Sequence, residues 1–322
     1  METFCVNEFE LIRLITRSLP ANESVIAGAG DDCAVLDLGI PGRFVLFKTD
    51  AVVEGVHFTN ATPPEQTGHK ALARCLSDVA AMAGTPTAAV ITLGLPPDFE
   101  AKTVEAIYRG INALAERHGV AIVGGETTTN PGQILLSIAL VGTVAKEKCL
   151  LRSGATPGDA IFVTGELGGS LAGKHLDFEP RLAEARWLAD HFAIHAMIDI
   201  SDGLAGDLRH LLLAGRVGGE LMSSSIPISR AARLQARSDS SNKPPLLAAL
   251  TDGEDFELLF TLASREAVPL LDGWKKQFPE TLLTCIGKVV AGAGLRIRDE
   301  RGSREVTETG YVHFGGASSS ER

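Results

Sequence analysis

Seven carboxylates stand at places where a chain can do chemistry. Asp31 and Asp32 lie in a glycine-rich turn. Asp50 closes the apolar run RFVLFKT (43–49). Asp78 falls in a helical stretch, Glu126 follows Gly124-Gly125, and Asp199 and Asp202 flank a strand-to-helix junction. Taken singly, each has an ordinary explanation as a turn, a helix cap or a solvated end. As an ordered set they predict one acidic pocket, because ligands of α/β proteins gather outside the carboxyl ends of strands. Carboxylates that converge repel one another unless cations separate them. Hard oxygen ligands without a His or Cys cluster select Mg²⁺, which keeps waters and shares substrate phosphates. The chain carries a net charge of −10, so a phosphorylated ligand needs such a metal between itself and the protein.

The elements that must position these groups can be read from periodicity. A short helix is expected over 9–19, and strands over 43–49, 88–95, 120–123 and 134–144. In the helix expected over 65–83, Ala71, Cys75, Asp78 and Met82 fall within about 60° of one another. Asp78 therefore sits at the edge of the apolar face, where a carboxylate requires a partner or a metal. Another helix is expected over 102–117. In the second half, strands are expected over 160–164, 196–200, 256–262 and 282–290, with a helix after Ser201-Asp202-Gly203-Leu204. Strands alternating with helices predict an α/β (α+β) class. The length of 322 residues predicts two domains, 1–147 and 148–322, the second ending in a disordered tail from about 315.

Composition excludes several alternatives. An acidic surface disfavours nucleic acid and anionic membrane as partners. The longest apolar stretch, 134–145, is far short of the ~20 residues that span a bilayer. The N-terminus lacks an apolar signal core, so a cytoplasmic protein is expected. Five cysteines without a C-x-x-C pair read as buried free thiols in a reducing compartment. GGSLAGK (168–174) fits the G-x-x-x-x-G-K half of a P-loop, but His175 stands where Ser or Thr must bind Mg²⁺. That stretch reads as a glycine turn, with backbone N–H groups that a phosphate could still reach. No G-x-S-x-G occurs, and the eight histidines show no zinc spacing.

Eight segments occur together and in order: GDDCAVL (30–36), TDAVVEGVHF (49–58), SDVAAMAGTP (77–86), GGETT (124–128), LRSGATPGD (151–159), DISDGL (199–204), GEDFELLFT (253–261) and GYVHF (310–314). The set resembles the thiamine-monophosphate kinase family over nearly the whole chain. The resemblance implies the two-domain aminoimidazole-ribonucleotide-synthetase-like fold, with an N-terminal sheet that forms a homodimer. It implies transfer of phosphate from ATP to thiamine monophosphate with several Mg²⁺ ions. By position, Asp32, Thr49, Asp50, Asp78, Glu126, Asp199 and Asp202 resemble the metal ligands. Gly125, Glu126, Arg152 and Ser201 resemble the ATP contacts, and His57, Glu254 and Tyr311 the contacts to thiamine phosphate. Three residues depart from the pattern: Glu126 replaces an aspartate, Lys48 a Ser or Thr, and Asp252 a glycine. The alternatives are another ATP-dependent synthetase of the superfamily, working through a phosphorylated intermediate, and a non-catalytic nucleotide-binding homologue.

Overall fold

The computed structural model describes residues 8–238 and 243–311. Cys5, the end of the GYVHF segment and the expected tail lie outside them. The first half contains α1 (Glu8–Thr16), β1 (Val25–Ala27), β2 (Ala34–Leu36), β3 (Arg43–Val53), α2 (Pro64–Ala81), β4 (Thr85–Leu95), α3 (Ala101–His118), β5 (Ala121–Thr129) and β6 (Leu135–Ala145). The second half contains β7 (Asp159–Thr164), α4 (Lys174–Asp177), α5 (Leu182–His191), β8 (Ile194–Asp199), α6 (Leu204–Gly215), β9 (Gly218–Met222), α7 (Arg230–Gln235), α8 (Pro245–Thr251), β10 (Leu258–Ala263), α9 (Ala267–Gln277), β11 (Leu283–Val290), β12 (Leu295–Asp299) and β13 (Gly302–Glu305).

Two sheets result. The first has the order β1-β2-β3-β6-β4-β5, and the second β13-β12-β9-β11-β7-β10-β8. Both are mainly antiparallel. Among the strands of the described residues, only β4–β5 and β12–β9 pair in parallel, the former joined through α3 as a crossover requires. The strand expected over 120–123 runs on through GGETT to Thr129 as β5: Gly125 and Glu126 pair with Ile91 and Thr92.

Helix α2 is the hinge of the packing. Its buried residues Leu72, Leu76 and Val79 share one core with Leu46, Ile91 and Ile138 of the first sheet and with Phe162, Met197 and Phe260 of the second. The two halves therefore close on a common apolar layer. The far side of the second sheet has its own core, in which Ile161, Ile198 and Leu259 pack on Leu204, Leu208 and Leu211 of α6. Helices α2 and α3 cross closely because Gly68 and Gly110 lack side chains. A Cβ on Gly110 would stand 1.9 Å from the Glu65 carbonyl oxygen, and one on Gly68 1.9 Å from that of Ile107.

The first sheet covers only one face. Leu46, Val52, Ile91, Ile138 and Leu140 point inward, whereas Phe47, Val90 and Val141 are exposed on the outer face. Among the described residues, no helix is long and apolar enough to cross a membrane. The four described cysteines are free. Cys33 and Cys75 are buried as expected, but Cys149 is half-buried and Cys285 exposed, the latter on a strand where side chains alternate between faces.

Candidate active site

Alternation along β3 decides which of its residues can act together. Leu46, Lys48, Asp50 and Val52 share the inner face, over α2. Phe47 and Thr49 share the outer one. On α2, Lys70, Arg74 and Asp78 recur every four residues and so line one side of the helix. The two rows meet. Lys48 Nζ donates to Asp78 Oδ1 at 2.9 Å, and Arg74 Nε donates to Asp50 Oδ2 at 3.0 Å.

Asp32 and Asp199 close the pocket. Asp32 comes from the turn before β2, and Asp199 ends β8 in the second half. With Asp78 they offer three carboxylate oxygens within 4.8 Å of one another, all from buried residues. Arg152 Nη2 donates to Asp32 Oδ1 at 2.5 Å, and Ser77 Oγ donates to Asp199 Oδ2 at 2.5 Å. Asp31 accepts from the Arg152 backbone N–H. Ser201, Asp202 and Phe256 line the same cavity with Lys48, Asp50 and Arg74. Asp207, which carries no local signature in the sequence, is buried behind it and accepts from the Asp202 N–H at 3.0 Å.

The electrostatics are those of crowded acids. Burial, helped by the charge of Asp32, raises the Asp199 carboxyl to about 7. Burial raises Asp78 well above the usual range, and Asp199, Asp50 and Asp32 add to the effect against Lys48. Burial, then Asp32, raises Asp31 to about 6. Asp50 differs: burial would raise it, but Arg74 and Lys48 together hold it low.

This donor set fits a hard divalent cation. Asp32 Oδ2 is buried with no hydrogen-bond partner among the described residues, and a buried lone carboxylate oxygen of that kind is costly unless something binds it. Three converging carboxylate oxygens repel one another, and a divalent ion relieves that repulsion.

A second cavity adjoins the acidic one. Val56, His57, Arg74, Ser201, Glu254 and Tyr311 are among its lining residues. Lys70, fully buried, donates to the His57 carbonyl at 2.6 Å and to Glu254 Oε2 at 2.7 Å. Arg74 Nη1 reaches Glu254 Oε1 at 3.3 Å. Glu254 (φ 63°) and Phe256 (φ 51°) both hold left-handed backbone, a strain found where a site fixes its side chains. His57 Nδ1 accepts from the Val53 N–H at 3.1 Å. Burial, then the charge of Arg74, lowers its pKa to about 4, so the ring is neutral.

Of the residues singled out in the sequence, Asp32, Asp50, Asp78, Asp199, Asp202, Arg152 and Ser201 come together, and His57, Glu254 and Tyr311 meet beside them. Thr49 and Glu126 do not join the cluster. Glu126 pairs with Thr92, Thr92 with Ser137 and Ser137 with Ala51. Paired residues share a face, so Glu126 and Thr49 project from the outer side of the sheet. Gly125 lies on the same edge strand. The GGSLAGK stretch is closed to phosphate: Gly168 and Gly169 N–H groups bond to Asp255 and Asp252, and Lys174 pairs with Glu257 at 2.7 Å. Lys70 and Arg74 escape a reading that looks for acids, although their four-residue spacing to Asp78 is visible in the sequence.

Comparison with known proteins finds relatives along most of the chain. Residues 30–144 match the family model described as AIR synthase related protein, N-terminal domain. The thiamine-monophosphate kinase of Rhodopirellula baltica is 40% identical over 309 residues, 92% of this chain and 93% of its own. That of Bacillus subtilis is 34% identical over 286 residues, 81% of this chain and 85% of its own. The solved structure of AaThiL complexed with AMPPCP and TMP superimposes with a TM-score of 0.82 at 31% identity, covering 97% of this chain and 99% of that one.

Proposed function

This chain belongs to the thiamine-monophosphate kinase family, and from that premise we propose that it phosphorylates thiamine monophosphate to thiamine diphosphate with ATP and Mg²⁺. The observation that carries the reading is the meeting of Asp32 and Asp78 from one half with Asp199 from the other, beside a cavity lined by His57, Arg74, Glu254 and Tyr311. Two anionic ligands need such a meeting of acids and basic residues. The related structure complexed with AMPPCP and TMP supports binding of both kinds of ligand.

Phosphoryl transfer demands positioning and charge neutralisation more than a covalent nucleophile. A phosphate oxygen of thiamine monophosphate is anionic at neutral pH and attacks the γ-phosphorus of ATP in line, without a strong general base; the bond from the γ-phosphorus to the β–γ bridging oxygen breaks and ADP leaves. Asp32, Asp78 and Asp199 would hold Mg²⁺, with Asp50 and Asp202 at the rim. Bound there, Mg²⁺ would supply the positive charge that orients and neutralises the ATP polyphosphate and the phosphate of thiamine monophosphate. Arg74 lines both cavities and is placed to hold the phosphoryl group between them. Arg152 and Ser201 belong to the ATP side. His57, neutral and with Nδ1 accepting, offers an Nε2–H to the substrate. Glu254, held by Lys70 and Arg74, faces the cationic thiamine ring.

Thr49, Gly125 and Glu126 lie on the outer side or edge of the first sheet, which also exposes Phe47, Val90 and Val141. That apolar face suits pairing with a second copy, so the protein acts as a homodimer. It works in the cytoplasm, with neither nucleic acid nor membrane as partner. The test is coupled ADP release with thiamine monophosphate, run beside aminoimidazole-pathway substrates. Turnover confined to thiamine monophosphate is expected, and none above background with it refutes the reading. Asp50→Asn should lose at least ~10²-fold in kcat while keeping its fold.

A further inference from the structure

Lys48 is a basic side chain inside an acidic pocket. It stands on the inner face of β3 beside Asp50, and its side chain is 23% exposed. Its Nζ lies 2.9 Å from Asp78 Oδ1. An ordinary lysine carries a full positive charge at neutral pH, and an ammonium is not a metal ligand because its nitrogen has no lone pair to give. It therefore competes with a divalent ion for that carboxylate.

The three corners of the cluster differ in what they leave over. Asp32 gives Oδ1 to Arg152 and keeps Oδ2 buried and unpartnered among the described residues. Asp199 is met by the neutral hydroxyl of Ser77, which adds no charge. Asp32 and Asp78 each meet a monovalent cation, the Arg152 guanidinium and the Lys48 ammonium, but at Asp78 that cation is a compact ammonium on a flexible stem. The stem of Lys48 is anchored in a strand bonded on both sides, to β2 and to β6. Its ammonium is thus held close to the pocket without the entropy cost of capturing a free ion.

We propose that the Lys48 ammonium is a tethered cation that fills one cation position of the pocket, at Asp78. The divalent ions then gather on the Asp32–Asp199 side, and their number per chain is one lower than the same pocket takes when position 48 is neutral. This rests on the reading that the pocket binds divalent cations.

The experiment counts ions rather than turnovers. Mn²⁺ is titrated into the full chain without nucleotide, and free Mn²⁺ is followed by electron paramagnetic resonance. Wild type is compared with Lys48→Ser and with Lys48→Met, the latter keeping the volume of the stem in case the smaller residue unfolds the strand. Both variants should bind one Mn²⁺ more per chain than wild type. Adding Asp78→Asn to Lys48→Ser should remove that additional ion. Equal counts in wild type and both variants, or an additional ion that survives Asp78→Asn, overturns the proposal. The outcomes separate from those of the kinase reading. Equal counts in a chain that turns over thiamine monophosphate refute the tethered cation alone. A one-ion difference in a chain without that turnover refutes the substrate alone.

Discussion

Removing the buried ammonium of Lys70 tests how the second cavity is held. Its side chain is 1% exposed and bridges α2 to Glu254, whose side chain is 17% exposed, and to the carbonyl of His57. Lys70→Met keeps the stem and deletes the charge. Leaving one partner of a buried pair alone costs roughly 3–5 kcal/mol. Here Arg74 still faces Glu254 at 3.3 Å and solvent reaches its carboxylate, which places the loss at the lower end, about 3 kcal/mol. That is roughly a hundredfold in the folding equilibrium. Glu254 holds φ 63°, a conformation costing on the order of 1–3 kcal/mol. Freed from Lys70, its segment relaxes and the carboxylate leaves its place. KM for thiamine monophosphate should then rise about tenfold, equivalent to ~1.4 kcal/mol, while KM for ATP holds. Urea unfolding and steady-state kinetics measure the two effects. Wild-type stability together with an unchanged KM would refute the reasoning.

Other perturbations follow from the same packing. Glu257 accepts from Arg181, Lys174 and Thr164 in a buried cluster. Burial would raise its pKa, but Lys174 and Arg181 outweigh burial and lower it from 4.5 to about 2. The folded state therefore binds fewer protons than the unfolded one between those values. Wild type should lose about 3 kcal/mol as pH falls from about 4.5 to 2, and Glu257→Gln should lack that part of the pH dependence in urea titrations. Gly110→Ala places a Cβ against the Glu65 carbonyl and should cost about 3 kcal/mol in thermal or urea unfolding as α2 and α3 separate. Phe47→Glu puts a charge on the outer face of the first sheet, and sedimentation should find wild type as a dimer and the variant as a monomer.

Much of the site was legible because each acid carried a local signature. Asp32 follows a glycine turn, Asp50 closes an apolar strand, Asp78 rides the apolar edge of a helix, and Asp199 ends a strand. Thr49 and Asp50 could not both face the pocket, since neighbours in a strand point to opposite sides; the motif match kept them together and the strand separates them. Glu126 was misplaced for a related reason. The strand expected over 120–123 stops before the two glycines, but pairing with β4 carries β5 straight through them. Lys70 and Arg74 carried the four-residue spacing, yet a buried cation is recognised only once its carboxylate is known. Glu254 lies 184 residues from Lys70, and no local pattern joins them. The alternation of helices and strands gave the class, while the antiparallel pairing that dominates both sheets depends on long-range contacts.

The central claim, that carboxylates from both halves form one divalent-cation pocket, is tested most directly by crystals soaked in Mn²⁺ and measured at its absorption edge. The account predicts an anomalous peak at bonding distance from Asp32, Asp78 and Asp199. Occupied Mn²⁺ sites elsewhere on the chain, with no peak between these three side chains, would contradict it.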